Sequence, residues 1–160
     1  MDLGSWIEYL FLAGFFGFNW SERTWHRLGD GGTEFSMISQ LDVGRYIAAM
    51  LLREPELTKN KDVIIFTVQT TANEVFALLE KVTGEKITIY SETPEEQIAL
   101  GVPPYLVGVR KMFNDPALRE GMNSMVSWKD KFPEVKPLTL EEAVRRGVKL
   151  AEEGNLKPFR

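Results

Sequence analysis

Ser36–Gly84, SMISQLDVGRYIAAMLLREPELTKNKDVIIFTVQTTANEVFALLEKVTG, is the stretch whose periodicities decide the fold class. After a strand end at Ser36, Val43, Ile47, Met50 and Leu51 recur at helical spacing behind Asp42, whose carboxylate is placed to cap the first turn. Arg53-Glu54-Pro55 ends that helix, and the polar run Thr58–Asp62 reads as a surface loop. Val63–Val68 is a continuous β-rich apolar run, which predicts a strand covered on both faces and central in its sheet. Thr71 and Glu74 form an S/T-x-x-E capping box. Val75, Phe76, Leu78, Leu79 and Val82 then make a helical stripe that Gly84 terminates. A β-α-β-α unit of this kind makes the chain α/β.

Composition bounds what surrounds this unit. With 160 residues, 44% hydrophobic and 26% charged, the chain supports one globular domain with a real core. Lys and Arg number 19 against 23 Asp and Glu, giving a net charge of -4 and a pI near 5.2. No basic stripe interrupts that even mixture, so a nucleic-acid partner is not expected. The absence of cysteine excludes disulfides and thiolate metal sites and fits a cytoplasmic location.

The first twenty residues are the most apolar part of the chain. They lack the basic start and small-residue cleavage site of a signal peptide, their early charges being Asp2 and Glu8. The unbroken run Tyr9–Phe18 is about half of the roughly 20 residues a bilayer requires, so it is expected to face protein rather than lipid. Asn19-Trp20-Ser21 matches a glycosylation pattern, but without an export signal it has no consequence. Thr24–Leu28 and Thr33–Ser39, joined by Gly29-Asp30-Gly31-Gly32, read as a β-hairpin or a strand-turn-strand. The glycines do not fit a dinucleotide loop, since Glu34 and more strand follow where a helix should begin.

Farther on, Lys86–Ser91 alternates as a strand and Thr93-Pro94-Glu95-Glu96 opens a short helix. Gly101-Val102-Pro103-Pro104 breaks the chain before a helix over Tyr105–Phe113. Asp115-Pro116 starts another helix, predicted to reach about Trp128. Thr139-Leu140-Glu141-Glu142 is a further capping box. It leads a last helix with Leu140, Ala143, Val144, Val148 and Ala151 inward.

"LDVGRYIAAML", a strand, and then "TTANEVFALLEKVTG" together resemble the second half of NmrA-like and isoflavone-reductase-like proteins, which are atypical short-chain dehydrogenases. The resemblance implies the C-terminal, substrate-side portion of a Rossmann-like NmrA-type fold, a short sheet flanked by amphipathic helices. In that family an Asp sits where Asp42 does, here carried over as a helix cap. A T-x-N-E element matches Thr71-Ala72-Asn73-Glu74, of which capping leaves only Asn73 unexplained. The segment Asp2–Tyr9 resembles the family stretch that passes along the substrate side, which implies that Gly4, Trp6 and Tyr9 line a substrate cavity. On residue type alone, Trp6, Phe11, Phe15 and Phe16 read rather as core aromatics around a helix.

The same resemblance implies that the dinucleotide-binding half lies outside residues 1–160, so no cofactor is expected in this chain, whereas the full-length family uses NADP. No Tyr-x-x-x-Lys pair is present: Ala13, Met50, Pro94 and Val109 follow the four tyrosines by four positions. The one histidine, His26, falls on a predicted strand and reads as a surface or satisfied core residue. No nucleophile elbow, zinc-binding helix or phosphate loop appears, and no catalytic residue is assigned.

Three functions remain open. The first is a shortened protein that binds a small hydrophobic molecule or a protein partner without autonomous hydride transfer. The second is a piece of a full NAD(P)H-dependent oxidoreductase. The third is a cofactor-free isomerase or lyase using an aromatic cavity, with His26 or a carboxylate as proton carrier. A sheet lacking upstream strands has an open edge, so self-association or a covering partner is expected.

Overall fold

The computed structural model describes residues 5–117 and 126–155. Its strands form two sheets of three. In the first, β4 (Glu34–Ile38) lies between β1 (Ser5–Trp6), parallel to it, and β5 (Val68–Thr71), antiparallel to it. In the second, β3 (Thr24–Leu28) lies between β2 (Phe18–Asn19), antiparallel, and β6 (Thr88–Glu92), parallel. Of the two readings of this segment, the strand-turn-strand holds and the β-hairpin is corrected: β3 and β4 are consecutive but belong to different sheets. Gly29-Asp30-Gly31-Gly32 supplies the reversal, with Gly29 and Gly31 at φ 68° and 73°, but it carries the chain from one sheet to the next. Asn73 holds this crossing. Its amide donates to the Asp30 carbonyl at 3.0 Å, and its backbone N–H donates to the Gly31 carbonyl at 3.1 Å. A Cβ at Gly31 would overlap the Asn73 side chain and the Trp25 ring.

Helix α1 (Gln40–Leu52) is capped by Ser39, whose hydroxyl accepts from the Leu41 N–H at 3.3 Å. Asp42 lies within the first turn, three residues after that cap, and is fully buried, which corrects its reading as the cap. It accepts instead from the Leu138 N–H at 2.8 Å and from Arg45 at 2.9 Å, tying α1 to the approach of the last helix. The inward face is accordingly Asp42, Tyr46, Ala49 and Met50, while Leu51 is exposed. Burial, then the charges of Asp42, Asp130 and Glu134, push the Tyr46 phenol up to about 12.

After the short α2 (Pro55–Thr58), the run Val63–Thr67 makes only a single bridge, at Ile64, and the strand begins only at Val68. The expected central strand over Val63–Val68 is thus replaced by an edge strand that starts five residues later, at Val68. The reason lies in where the backbone bonds go. The Phe66 N–H donates to the Ser127 hydroxyl at 3.1 Å, the Ile64 carbonyl accepts from Trp128, and the Thr67 N–H reaches Met37 of β4. Val63 and Ile65 still bury, against Ile38, Tyr46, Met50 and Phe132 in a second, smaller core.

Helix α3 (Ala72–Thr83) has the predicted capping box on Thr71 and Glu74 and ends at Gly84. Then come α4 (Pro94–Ala99), α5 (Pro104–Asn114) and, after a 3-10 turn at Lys129–Lys131, α6 (Leu140–Glu152). Thr93 and Thr139 cap α4 and α6 in the same reciprocal way. Most of the helix predicted between Asp115 and Trp128 lies outside the described residues.

The main core is aromatic. The apolar N-terminal stretch supplies Ile7, Phe11, Phe16 and Phe18, so it does face protein; Phe35, Phe76, Trp25 and Phe113 close around it. Phe76 joins the parts, stacking on Trp25 at 3.9 Å and meeting Phe11 edge-on at 5.4 Å. Glu8 is buried within this region on a π-helical turn (Glu8–Leu12). Its two oxygens accept from the Ser39 hydroxyl at 2.6 Å and the Gln40 N–H at 3.1 Å. Among the described residues no helix is long and apolar enough to cross a membrane.

Candidate functional site

The second sheet borders a cavity of about 750 Å³. Its walls come from the loop after the π-helical turn, β2 and β3, the end of β6, the α4–α5 connection, and α5. Apolar surface dominates: Leu12, Phe18, Trp20, Leu100 and Val102 contribute, as does Ala151 from the end of α6. A cavity of this size, mostly apolar with a few polar groups, has the dimensions of a small-molecule site.

His26 and Glu92 are the polar centre. In the parallel register of β3 and β6, His26 stands opposite Tyr90, and the two rings stack at 4.9 Å. Glu92 is two residues beyond Tyr90 and so on the same face, within diagonal reach. Its Oε1 lies 2.5 Å from His26 Nδ1. Its Oε2 is enclosed without a hydrogen-bond partner among the described residues. The opposite face of the same strands is used differently, with Arg27 donating to Ser91 at 3.0 Å. Because Thr93 caps α4 directly after Glu92, the strand end is fixed in place.

Arg110 forms the cavity's floor. Only 5% exposed, it donates to the carbonyls of Phe15 at 2.7 Å and Gly14 at 3.3 Å and to Gln97 Oε1 at 3.0 Å. The fully buried Gln97 passes this on, its amide donating to the His26 carbonyl at 3.0 Å. Burial pulls the Arg110 guanidinium below its ordinary value, and the nearby Glu92 charge opposes that pull. Gly17 completes the wall at φ 87°, where a Cβ would collide with the His26 carbonyl. Among the described residues no cluster of three His, Asp or Glu side chains is placed to hold a metal ion.

The glycine cluster Gly29–Gly32 runs between two strands and offers no helix N-terminus. The Gly32 N–H is already bonded to Asp30 Oδ1 at 2.8 Å, so this segment does not fit a pyrophosphate.

No protein-family model and no curated protein matches the sequence. Solved structures do. A nucleoside-diphosphate-sugar epimerase of Staphylococcus aureus superposes with a TM-score of 0.65 at 15% identity, over 89% of this chain and 50% of that one. Leucoanthocyanidin reductase of Vitis vinifera, in its binary complex with NADPH, gives 0.64 at 17% identity, over 92% and 50%. NmrA, a negative transcriptional regulator, gives 0.63 at 14% identity, over 96% and 53%. The fold is NmrA-like. The chain spans about half the length of these structures, and at such identities the likeness is one of fold.

Within the NmrA-like fold, the residues named from sequence fall as follows. Trp6 is on β1 opposite Ile38, 40% exposed, and is not part of the cavity wall around His26. Gly4 and the Tyr9 side chain lie outside the described residues. Asn73, left unexplained by capping, is a structural clamp. The His26–Glu92 pair is hidden in the sequence because its members are 66 residues apart. The available signal was the alternation of two strands, which puts Tyr90 and Glu92 on one face.

Proposed function

We propose that this chain is the substrate-side portion of an NmrA-like protein and binds a small, largely apolar molecule in the cavity beside His26, without hydride transfer of its own. The observation that carries this reading is the cavity itself: apolar walls around the His26–Glu92 pair and Arg110, on a sheet face that α4 and α5 frame. The fold it shares with NADPH-binding reductases supports the kinship. A nicotinamide reaction also needs the pyrophosphate held, and the described glycine turn does not do that.

The test is a pair of titrations on the folded chain, one with the neutral dye Nile red and one with NADPH. The dye should saturate and should lose binding in Ala151→Trp, which fills the cavity; NADPH should not saturate. A folded protein that ignores Nile red, or binds it equally well in Ala151→Trp, would refute the reading. Saturable NADPH binding would restore the oxidoreductase.

A second reading has its own observation. β6 is the outermost strand of its sheet, with Ile89 and Tyr90 each 47% exposed and Leu100 beside them. A second copy pairing along that edge would cover them. Sedimentation velocity separates the cases, since a monomer at high micromolar concentration removes this second reading.

A further inference from the structure

We propose that the cavity is a proton-transfer site for a weak carbon acid, with His26 as the base that takes the proton and Glu92 as the residue that positions it. The proposal rests on the binding reading above and adds chemistry to it. With Nδ1–H donated to Glu92 Oε1 at 2.5 Å, the tautomer is assigned and the lone pair lies on Nε2. Nε2 makes no hydrogen bond among the described residues. Stacking on Tyr90 fixes the plane of the ring.

The buried acids of the molecule show why Glu92 is not simply another clamp. Glu8 spends both oxygens on Ser39 and Gln40, and Asp42 spends both on Arg45 and Leu138. Glu92 spends one oxygen on the imidazole and leaves the other enclosed without a donor. A carboxylate so placed orients a base and stabilises the imidazolium that forms when the base takes a proton. Oxygen and nitrogen acids exchange protons with water unaided, so a base held this way adds rate where the proton leaves carbon. Apolar walls at Leu12, Phe18, Trp20 and Val102 suit an apolar carbon acid.

The probe is 5-nitrobenzisoxazole, an apolar carbon acid small enough for about 750 Å³. His26 Nε2 takes the ring C–H proton. The C–H electron pair forms the nitrile, the N–O bond breaks, and its electrons leave on the phenolate oxygen, which is read by absorbance. Nothing is oxidised or reduced overall, and the imidazolium returns its proton to water.

Displacement of Nile red shows that the probe enters the cavity. We expect saturable turnover, a loss of about a hundredfold or more in His26→Gln and His26→Asn, and a fall of about tenfold in kcat with unchanged KM in Glu92→Gln. Imidazole in solution should partly restore the rate of His26→Gly. Equal rates in the unaltered protein and both folded His26 variants would overturn the proposal, as would an effect of Glu92→Gln on KM alone. Failure of the probe to displace bound Nile red overturns the carbon-acid assignment and leaves the binding reading standing. Failure of Nile red to bind overturns the binding reading itself.

Discussion

The two sheets are the same size and are used in opposite ways. In the first, every residue of β4 after Glu34 is buried, with Phe35 and Met37 in the aromatic core, between its neighbours β1 and β5. In the second, β6 is exposed from Thr88 to Ser91, and only its last residue, Glu92, turns into a cavity wall. A strand sealed on both faces can carry only packing, whereas one with a wet face can hold polar side chains in register. The candidate chemistry is thus confined to the wet face of the second sheet, while Phe18 and Trp25 on its other side join Phe35 and Met37 of the first sheet in the core that Phe76 closes.

That arrangement can be broken most severely at its hinge. Phe76→Ala removes the ring that joins Trp25 to Phe11, and denaturant unfolding should show a loss of about 3–5 kcal/mol, among the largest for a single truncation. Asp42→Ala strands the half-buried Leu138 N–H and should cost about 1–3 kcal/mol by the same measurement. It should leave Nile red binding intact, because α1 lies away from the cavity wall. Gly17→Ala should show the reverse emphasis. At φ 87° and against the His26 carbonyl, the added methyl costs about 1–3 kcal/mol, and it should weaken dye binding as well. Thr139→Ala removes half of a capping box remote from both sheets and should cost about 1 kcal/mol with binding unchanged.

The smallest effect is acid sensitivity. Glu80 is held below the ordinary carboxylate range by the Ile87 N–H and then Lys86, Glu141 by Lys81 and then Arg145, and Glu142 by the Thr139 N–H and hydroxyl. A depressed folded value means that the stabilisation is complete above the unfolded pKa and lost as pH falls through the folded one. The unfolding midpoint should therefore decline below about pH 4.3, with a shallower decline in Glu80→Gln.

The sequence made the capped helices legible and left the strand partners obscure. Thr71/Glu74, Thr93/Glu96 and Thr139/Glu142 are local pairs, so three residues of context suffice to place each helix start. Strand pairing is not local. Thr24–Leu28 and Glu34–Ile38 carry good hairpin chemistry between them, yet the partner of β3 is β6, some sixty residues on. Asp42 misled for the same reason: an Asp before an apolar stripe looks like a cap until Leu138 claims it and Ser39 takes the role. The apolar N-terminus was read correctly as protein-facing, since its length and aromatic content argue for a core. The candidate site was the least legible part. His26 is unremarkable until parallel pairing brings Glu92 beside it, and the resemblance pointed instead to Gly4, Trp6 and Tyr9.

The most direct measurement is an amide chemical-shift map of the isotopically labelled chain titrated with Nile red. Binding in the cavity should cluster the shifts on Leu12–Ser21, His26, Glu92 and Leu100–Arg110, and leave β1 and α1 undisturbed. Shifts confined to Trp6 and its neighbours on β1 would contradict it and move the binding site to the other sheet.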